Sequence, residues 1–147
     1  MNRELNTKVS KNFWLAELLP PELFKNPRVM PIWYLTEFLA TVPQKLRDEL
    51  ARPITVNSWF NGGSYSYSGL RLPETDVGAK LSLHRFGLAV DVKVEGISPQ
   101  EVVDFVKSHR IKLPEITAYE RTSDTPTWCH LDGRRTGSYD LLEVPGK

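Results

Sequence analysis

Two histidines and one aspartate in this 147-residue chain have the types and spacing of a metal site. His84 lies just before a predicted strand, and Asp91 lies on the polar face of that strand. Gly87 and Ala89 are the residues between them on this face, and such small residues leave room for an ion and let the backbone approach closely. His130 lies on a second predicted strand, so all three side chains can converge.

Two imidazoles and one carboxylate suit Zn²⁺, which binds each at about 2.0–2.2 Å and keeps a fourth tetrahedral position for water. Three protein ligands indicate catalysis, because structural zinc sites are normally closed by four. Bound zinc lowers the pKa of water to about 7 and polarises a carbonyl group. A nearby carboxylate that is not a ligand can take a proton and pass it to a leaving amine. Glu120, at the end of another predicted strand, is the candidate.

Simpler interpretations of these residues stay open at the level of composition and spacing. A histidine beside an aspartate is usually a hydrogen-bonded structural pair. Asp132 either orients His130 or is a solvated carboxylate at a strand end. Trp128 either forms the floor of a cleft or belongs to the core. Cys129 is expected to point into the core, because alternate residues of a strand face opposite sides.

The composition is ordinary for a soluble globular domain, with 40% apolar and 25% charged residues. Nineteen basic and 18 acidic side chains give a net charge of +1. This balance provides no electrostatic basis for binding nucleic acid or an anionic membrane surface. The single cysteine cannot form an internal disulfide. We expect no signal peptide and no membrane span, because no segment has the apolar length that either needs.

Helices are predicted first along the chain. A short helix is predicted over residues 12–19, and a longer helix after Pro31 has apolar residues at helical spacing. Pro43 falls inside that pattern and is expected to kink or split the helix. Ser98 and Glu101 form a predicted capping box at the start of a third helix.

Strands occupy most of the remaining sequence. They are predicted at 54–60, 86–94, 116–120 and 128–132. The loop over 61–80 is long enough to indicate either function or disorder, and its glycines and serines favour mobility. Helices followed by strands around one helix predict a single α+β domain with a mainly antiparallel sheet, N-terminal helices and one crossover helix. We expect this domain over 12–135, with a flexible arm at 1–11 and a tail at 136–147.

The motifs resemble those of a known family. Residues 82–91 match every fixed position of the SxHxxGxAxD signature of the M15 peptidases, the D-Ala-D-Ala carboxypeptidase family. Glu120, then a loop, then residues 128–130 are similar to the second half of that family's site. Segments 12–19 and 54–71 are similar to the leader helix, strand and loop of an M15 subgroup that is common in phage genomes. The resemblance covers about residues 12–135.

This resemblance implies a fold of the hedgehog and D-Ala-D-Ala peptidase type, and a zinc peptidase that cuts bacterial peptidoglycan peptides. It implies zinc on His84, Asp91 and His130. The general base would be Glu120. Ser82 and an arginine of the preceding loop are expected to hold the substrate.

The chain departs from the commoner family pattern at two points. Where many members have a Ser-Gly-Tyr-Arg-like turn, residues 58–61 read Ser-Trp-Phe-Asn. Arg71 is therefore the expected replacement, with Arg85 as a second candidate for stabilising the oxyanion. Some relatives have an acidic base three residues before the last ligand, but this chain has Thr127 there. Glu120 is then the expected base, with Asp124 as the alternative.

The rival interpretation is a non-catalytic M15-like component of a phage virion, structural or wall-binding, that contacts other virion proteins. Intact ligands and Glu120 favour the enzyme, since a structural part needs no base. In either case the protein is expected to be made in the host cytoplasm and to act at the bacterial cell wall or travel in a phage particle. A metal-free fold with a structural histidine–aspartate pair is the third alternative.

Overall fold

A five-stranded sheet carries the residues of interest. In the computed structural model, which describes residues 3–146, the strands are β1 (Ile54–Thr55), β2 (Ala89–Val94), β3 (Ala118–Glu120), β4 (Cys129–Asp132) and β5 (Leu142–Val144). Their order across the sheet is β1-β2-β4-β3-β5. All neighbouring pairs are antiparallel except β3 and β5, which are parallel. The predicted α+β class with a mainly antiparallel sheet is confirmed.

The described chain also contains three α-helices: α1 (Pro21–Lys25), α2 (Glu37–Leu50) and α3 (Pro99–Ser108). Helix α3 joins β2 to β3 across the intervening β4, so it is the predicted crossover helix. Its capping box is confirmed, because Ser98 Oγ accepts a hydrogen bond from Glu101 N while Glu101 Oε2 accepts one from Ser98 N. No helix among the described residues has the length and apolar character that crossing a membrane requires.

Pro43 does not split α2, which runs unbroken from Glu37 to Leu50. Pro43 is itself buried, together with the apolar stripe of Phe38, Leu39, Val42 and Leu46. Packing of this face against the sheet offsets the one backbone hydrogen bond that proline cannot make.

Two predicted elements are shorter than expected. The helix predicted over 12–19 is only a 3₁₀ turn at Leu15–Glu17, and the apolar residues around it, Phe13, Leu15, Ala16, Leu18 and Leu19, are buried. The strand predicted over 54–60 stops after Thr55. Beyond it, Asn57 N donates to Glu17 O at 3.0 Å and Ser58 N donates to Tyr65 O at 2.8 Å, so these backbone groups leave the sheet.

The two ends of the chain contribute structure that the sequence did not predict. Within the expected arm at 1–11, Lys8 forms a β-bridge with Trp14, and Val9 packs against the core. The expected tail at 136–147 contains β5. The first two residues of the arm and Lys147 of the tail lie outside the described residues.

The strand register divides the central strands into an apolar and a polar face. Val90 lies opposite Leu131, and Val92 lies opposite Cys129. These four side chains belong to the hydrophobic core. On the other face, Asp91 lies opposite His130 and Ala89 lies opposite Asp132. The predicted alternation is therefore confirmed.

Candidate metal centre

Three side-chain atoms of His84, Asp91 and His130 form a nearly equilateral triangle. His84 Nε2 lies 3.2 Å from Asp91 Oδ1 and 3.2 Å from His130 Nδ1, and His130 Nδ1 lies 3.0 Å from Asp91 Oδ1. All three residues are buried. Ligands placed tetrahedrally at about 2.0 Å from a zinc ion are about 3.3 Å apart. The spacing of the three atoms therefore fits one face of a tetrahedral metal site, and the group could hold a metal ion.

A short turn before β2 presents His84. The turn is a 3₁₀ helix at Leu83–Phe86, and Ser82 Oγ accepts a hydrogen bond from His84 N. Gly87 ends it with a φ of 67°, and a Cβ added there would lie 2.3 Å from a Thr36 methyl carbon. Glycine is required by both the left-handed backbone and the close approach.

The ring orientation of His84 is fixed by backbone. His84 Nδ1 lies 2.8 Å from Gly69 O, and a carbonyl oxygen can only accept, so Nδ1 carries the proton. The Nε2 lone pair is then directed at the triangle. Gly69 lies against the Leu18 carbonyl, where an added Cβ would come within 2.1 Å of the oxygen. A larger residue at 69 would displace the carbonyl that orients His84.

A carboxylate fixes the orientation of His130. His130 Nε2 lies 3.0 Å from Asp132 Oδ2, so Nε2 carries the proton and the Nδ1 lone pair is directed at the triangle. Asp132 is fully buried and accepts two hydrogen bonds from the Arg134 guanidinium, at 2.9 and 2.7 Å. Burial alone would raise the pKa of Asp132, but the bonds from His130 and Arg134 lower it to about 2. Asp132 is therefore a permanent acceptor.

Three acceptor atoms thus meet in a buried place with no donor between them. Each imidazole has given its only proton to another partner, and the carboxylate has none to give. Buried lone pairs at 3.0–3.2 Å repel one another unless a cation or an added proton lies between them. Carbonyl and carboxylate partners on the far side of each ring are also the usual companions of metal-binding histidines.

The pKa shifts of His130 and Asp91 agree with a position that favours a positive charge. Burial lowers the pKa of His130, but the Asp132 and Asp91 carboxylates that it contacts raise the value to about 9. Burial raises the pKa of Asp91, yet His84 and His130 hold it well below its usual range. Without an ion, a proton on His130 would fill the position that a metal ion fills when bound.

A cleft of about 740 Å³ opens onto the three atoms. One wall comes from the loop at 77–83, and the other from Asp124, Thr125 and Trp128 together with Val144 and Pro145 at the chain's last strand. The half-buried Trp128 therefore lines the cleft. The C-terminal wall was not predicted, because nothing in the sequence of the tail indicates chemistry.

Glu120 and Asp124, the two candidate bases, have different surroundings. Glu120 ends β3 beside β4, with Oε1 3.9 Å from His130 Nδ1, and its carboxylate has no hydrogen-bond partner within residues 3–146. Asp124 Oδ2 accepts a hydrogen bond from Gly146 N at 3.0 Å and lies 3.9 Å from Arg121 Nη1. Asp124 thus anchors the C-terminal segment, and Glu120 is the carboxylate adjacent to the triangle.

The substrate candidates Arg71 and Ser82 both line the cleft. Arg71 also contacts Asp91, since Nη2 donates to Asp91 Oδ2 at 3.2 Å while Nε donates to Tyr67 O at 2.8 Å. This contact occupies the oxygen of Asp91 that faces away from the histidines. Arg71 therefore orients a candidate ligand as well as facing the cleft.

Arg85 does not line the cleft, and it binds backbone carbonyls of the preceding loop instead. Its guanidinium donates to four backbone carbonyls, those of Leu72, Pro73, Thr75 and Ala79, at 2.7–2.9 Å. It fastens the loop over 72–79, which has no helix or strand. The sequence did not predict that this loop is organised around an arginine.

Several neighbouring residues are now assigned. Cys129 lies in the core, where burial raises the pKa of its thiol, so it cannot contact an ion in the triangle. Asp132 is the orienting partner of His130, and the alternative of a solvated carboxylate is wrong. Gly69 and Arg134 were missed by the sequence analysis. The position of Arg134 two residues after Asp132, just past the end of β4, was the only signal available for the latter.

The chain was also compared with known proteins. No family model, no curated protein and no solved structure matches it.

Proposed function

We propose that this protein is a zinc-dependent peptidase that hydrolyses peptide bonds of bacterial peptidoglycan. One observation carries the proposal: three buried lone pairs, from two oriented imidazoles and a carboxylate, converge at 3.0–3.2 Å at the base of an open cleft. A structural site would be closed by a fourth protein ligand. Here the nearest further carboxylate, on Glu120, lies 3.9 Å from one of the three atoms.

Zinc is the proposed ion because two imidazole nitrogens and one carboxylate oxygen are the donor set of many catalytic zinc sites. When bound, zinc supplies a Lewis acid and a water of lowered pKa. Harder ions such as Mg²⁺ and Ca²⁺ prefer sites made mainly of oxygen ligands. His84 and His130 would hold the ion by nitrogen, and Asp91 by the oxygen not engaged by Arg71.

Glu120 is the proposed general base. Its carboxylate can take a proton at the position next to His130 and return it to the leaving amine. Its side chain is only partly exposed, at 27%, so it is shielded from bulk water but open to the cleft. Asp124 is a poorer candidate, because moving it would release Gly146 N.

Two guanidinium groups flank the cleft and would hold the substrate. Arg71 reaches it beside Asp91, and Arg134 reaches it beside Asp132. Both are fixed by carboxylates, so they present positive charge in defined positions to the carbonyl oxygens and carboxylates of a peptide. The resemblance of residues 82–91 to the M15 signature supports peptidoglycan peptides as the substrate.

Digestion of purified peptidoglycan tests this proposal. The zinc-loaded protein should release fragments whose masses identify one type of cleaved peptide bond, and Glu120→Gln should release almost none. Zinc binding without any cleavage by the parent protein would contradict the proposal and favour the wall-binding or virion component. Glycan cleavage with intact peptides would contradict it as well.

A further inference from the structure

Arg134 lies at the boundary between two cavities. Its side chain lines the cleft of about 740 Å³ above the candidate metal centre, and also a second cavity of about 640 Å³. Asp132 fixes the guanidinium through Nε and Nη2, whereas Nη1 has no hydrogen-bond partner in residues 3–146. The guanidinium of Arg134 is therefore held in place where the two cavities meet, and its Nη1 remains free to donate to a ligand.

The second cavity has features that suit a charged and polar chain. It is lined by Glu37 at the start of α2, by Arg135 on the loop after β4, and by the hydroxyl-bearing residues Thr41, Thr136 and Ser138. Neither Glu37 nor Arg135 has an ion-pair partner within the described residues, and both are exposed. An unpaired carboxylate and an unpaired guanidinium can bind an ammonium and a carboxylate of the same ligand.

We propose that the cavity beyond Arg134 is a second substrate subsite, so that the substrate is an extended peptide with both ammonium and carboxylate groups, crossing Arg134 on its way from the metal cleft. This inference rests on the proposed peptidase function and adds to it. Cross-linked peptidoglycan peptides have this chemistry and extend over many residues, while a terminal dipeptide bound in the metal cleft would be too short to reach the second cavity as well. The protein would then act on internal bonds.

Binding to a variant that cannot complete hydrolysis tests the subsite directly. In the zinc-loaded Glu120→Gln background, calorimetry would compare D-Ala-D-Ala with a cross-linked peptide dimer purified from peptidoglycan. Adding Glu37→Gln and Arg135→Ala together should weaken dimer binding about 3- to 10-fold, as expected for the loss of two exposed charged contacts. Binding of D-Ala-D-Ala should not change.

A charge-matched control uses Glu49→Gln with Arg28→Ala in the same background. Both residues are exposed and line neither cavity, so both probes should bind as before. An unchanged dimer affinity in the subsite variant, equal weakening of both probes, or weakening in the control would each overturn the inference.

Hydrolysis by the parent protein separates this inference from the proposed function. If the parent cuts the dimer but the subsite variant binds it normally, the subsite is wrong and the peptidase stands. If the dimer binds through the subsite but the parent protein never cuts it, the proposed peptidase function is wrong and the proposed subsite is supported. A dimer that does not bind at all overturns the subsite.

Discussion

The candidate site has a strand-borne part and a loop-borne part, and the two are fixed by different forces. Asp91, His130 and Glu120 lie on β2, β4 and β3, which are neighbouring strands at the centre of the sheet. Backbone hydrogen bonds set their register, so Asp91 and His130 lie directly opposite each other. A register slip would move the buried apolar face to the cleft, which makes this geometry strongly specified.

The loop-borne part depends instead on side chains that bind backbone carbonyls. His84 and Arg71 are held by Gly69 O and Tyr67 O, and Arg85 fastens the loop over 72–79. Such contacts can be lost one at a time without disturbing the sheet. We therefore expect changes on the strands to abolish chemistry or metal binding. In the loop-borne part, loss of the ligand His84 should also abolish metal binding, whereas changes at Arg71 and Arg85 should weaken substrate binding or loop order.

The largest expected effect comes from the strand-borne base. Glu120→Gln keeps the size of the side chain but removes its ability to take a proton, so hydrolysis should fall by roughly 10²–10⁴. Zinc should stay bound. Asp124→Asn is the matched control and should keep most activity, since Asp124 serves to hold Gly146. Loss of hydrolysis in Asp124→Asn with near-normal hydrolysis in Glu120→Gln would show that the base is Asp124.

The next effect comes from the outer partner of His130. Asp132→Asn removes the charge that orients the ring, and zinc affinity should fall by about 10- to 100-fold. A zinc titration with a competing chelator measures this change, and Asp140→Asn, on the exposed C-terminal segment, should show none. An unchanged affinity in Asp132→Asn would mean that the ring needs no orienting carboxylate.

Substitutions of the two loop arginines should separate substrate binding from loop order. Arg71→Ala should lower activity chiefly through KM while keeping zinc. Arg85→Ala should keep zinc as well, but it frees four carbonyls and should open residues 72–79 to proteolysis. Limited proteolysis with mass spectrometry checks this. If Arg71→Ala hydrolyses like the parent, the role expected for Arg71 is wrong.

A smaller effect concerns pH in the metal-free protein. The folded pKa of His130 is raised from 6.5 to about 9, so its protonation stabilises the fold fully below pH 6.5. That contribution is lost as pH rises through 9. The melting temperature of the chelated protein should therefore fall as pH rises from 6.5 to about 9, and bound zinc should abolish this pH dependence. His109→Gln should retain the decline and His130→Gln should lose it. A flat curve for the chelated parent would contradict this.

The sequence predicted the strand-borne part more completely than the loop-borne part. Alternation along 86–94 is a local signal, so it placed Asp91 on the polar face and Val90 in the core correctly. The partner of a strand is not a local property, and β5 was missed because three exposed or half-exposed residues show no alternation with the core. The same limit explains why the wall formed by Val144 was not foreseen.

For the loop-borne part, the sequence predicted candidate residues but not the backbone contacts that hold them. Gly69 and Arg85 act through backbone carbonyls distant in sequence, and no residue pattern encodes such contacts. The shortened strand after Thr55 has the same cause, because Asn57 bonds to Glu17 instead of continuing the ladder. Asp132 could be predicted as a candidate from its face, but its complete burial required the structure.

A zinc titration of the chelated protein tests the central claim most directly. Calorimetry should show one zinc ion per chain, competing with a proton on His130, and binding should be lost in His84→Ala, Asp91→Ala and His130→Ala. Cys129→Ala, on the opposite face of the same strand, should bind zinc like the parent. The absence of zinc binding in the parent, or full occupancy in His130→Ala, would contradict the assignment of the three ligands.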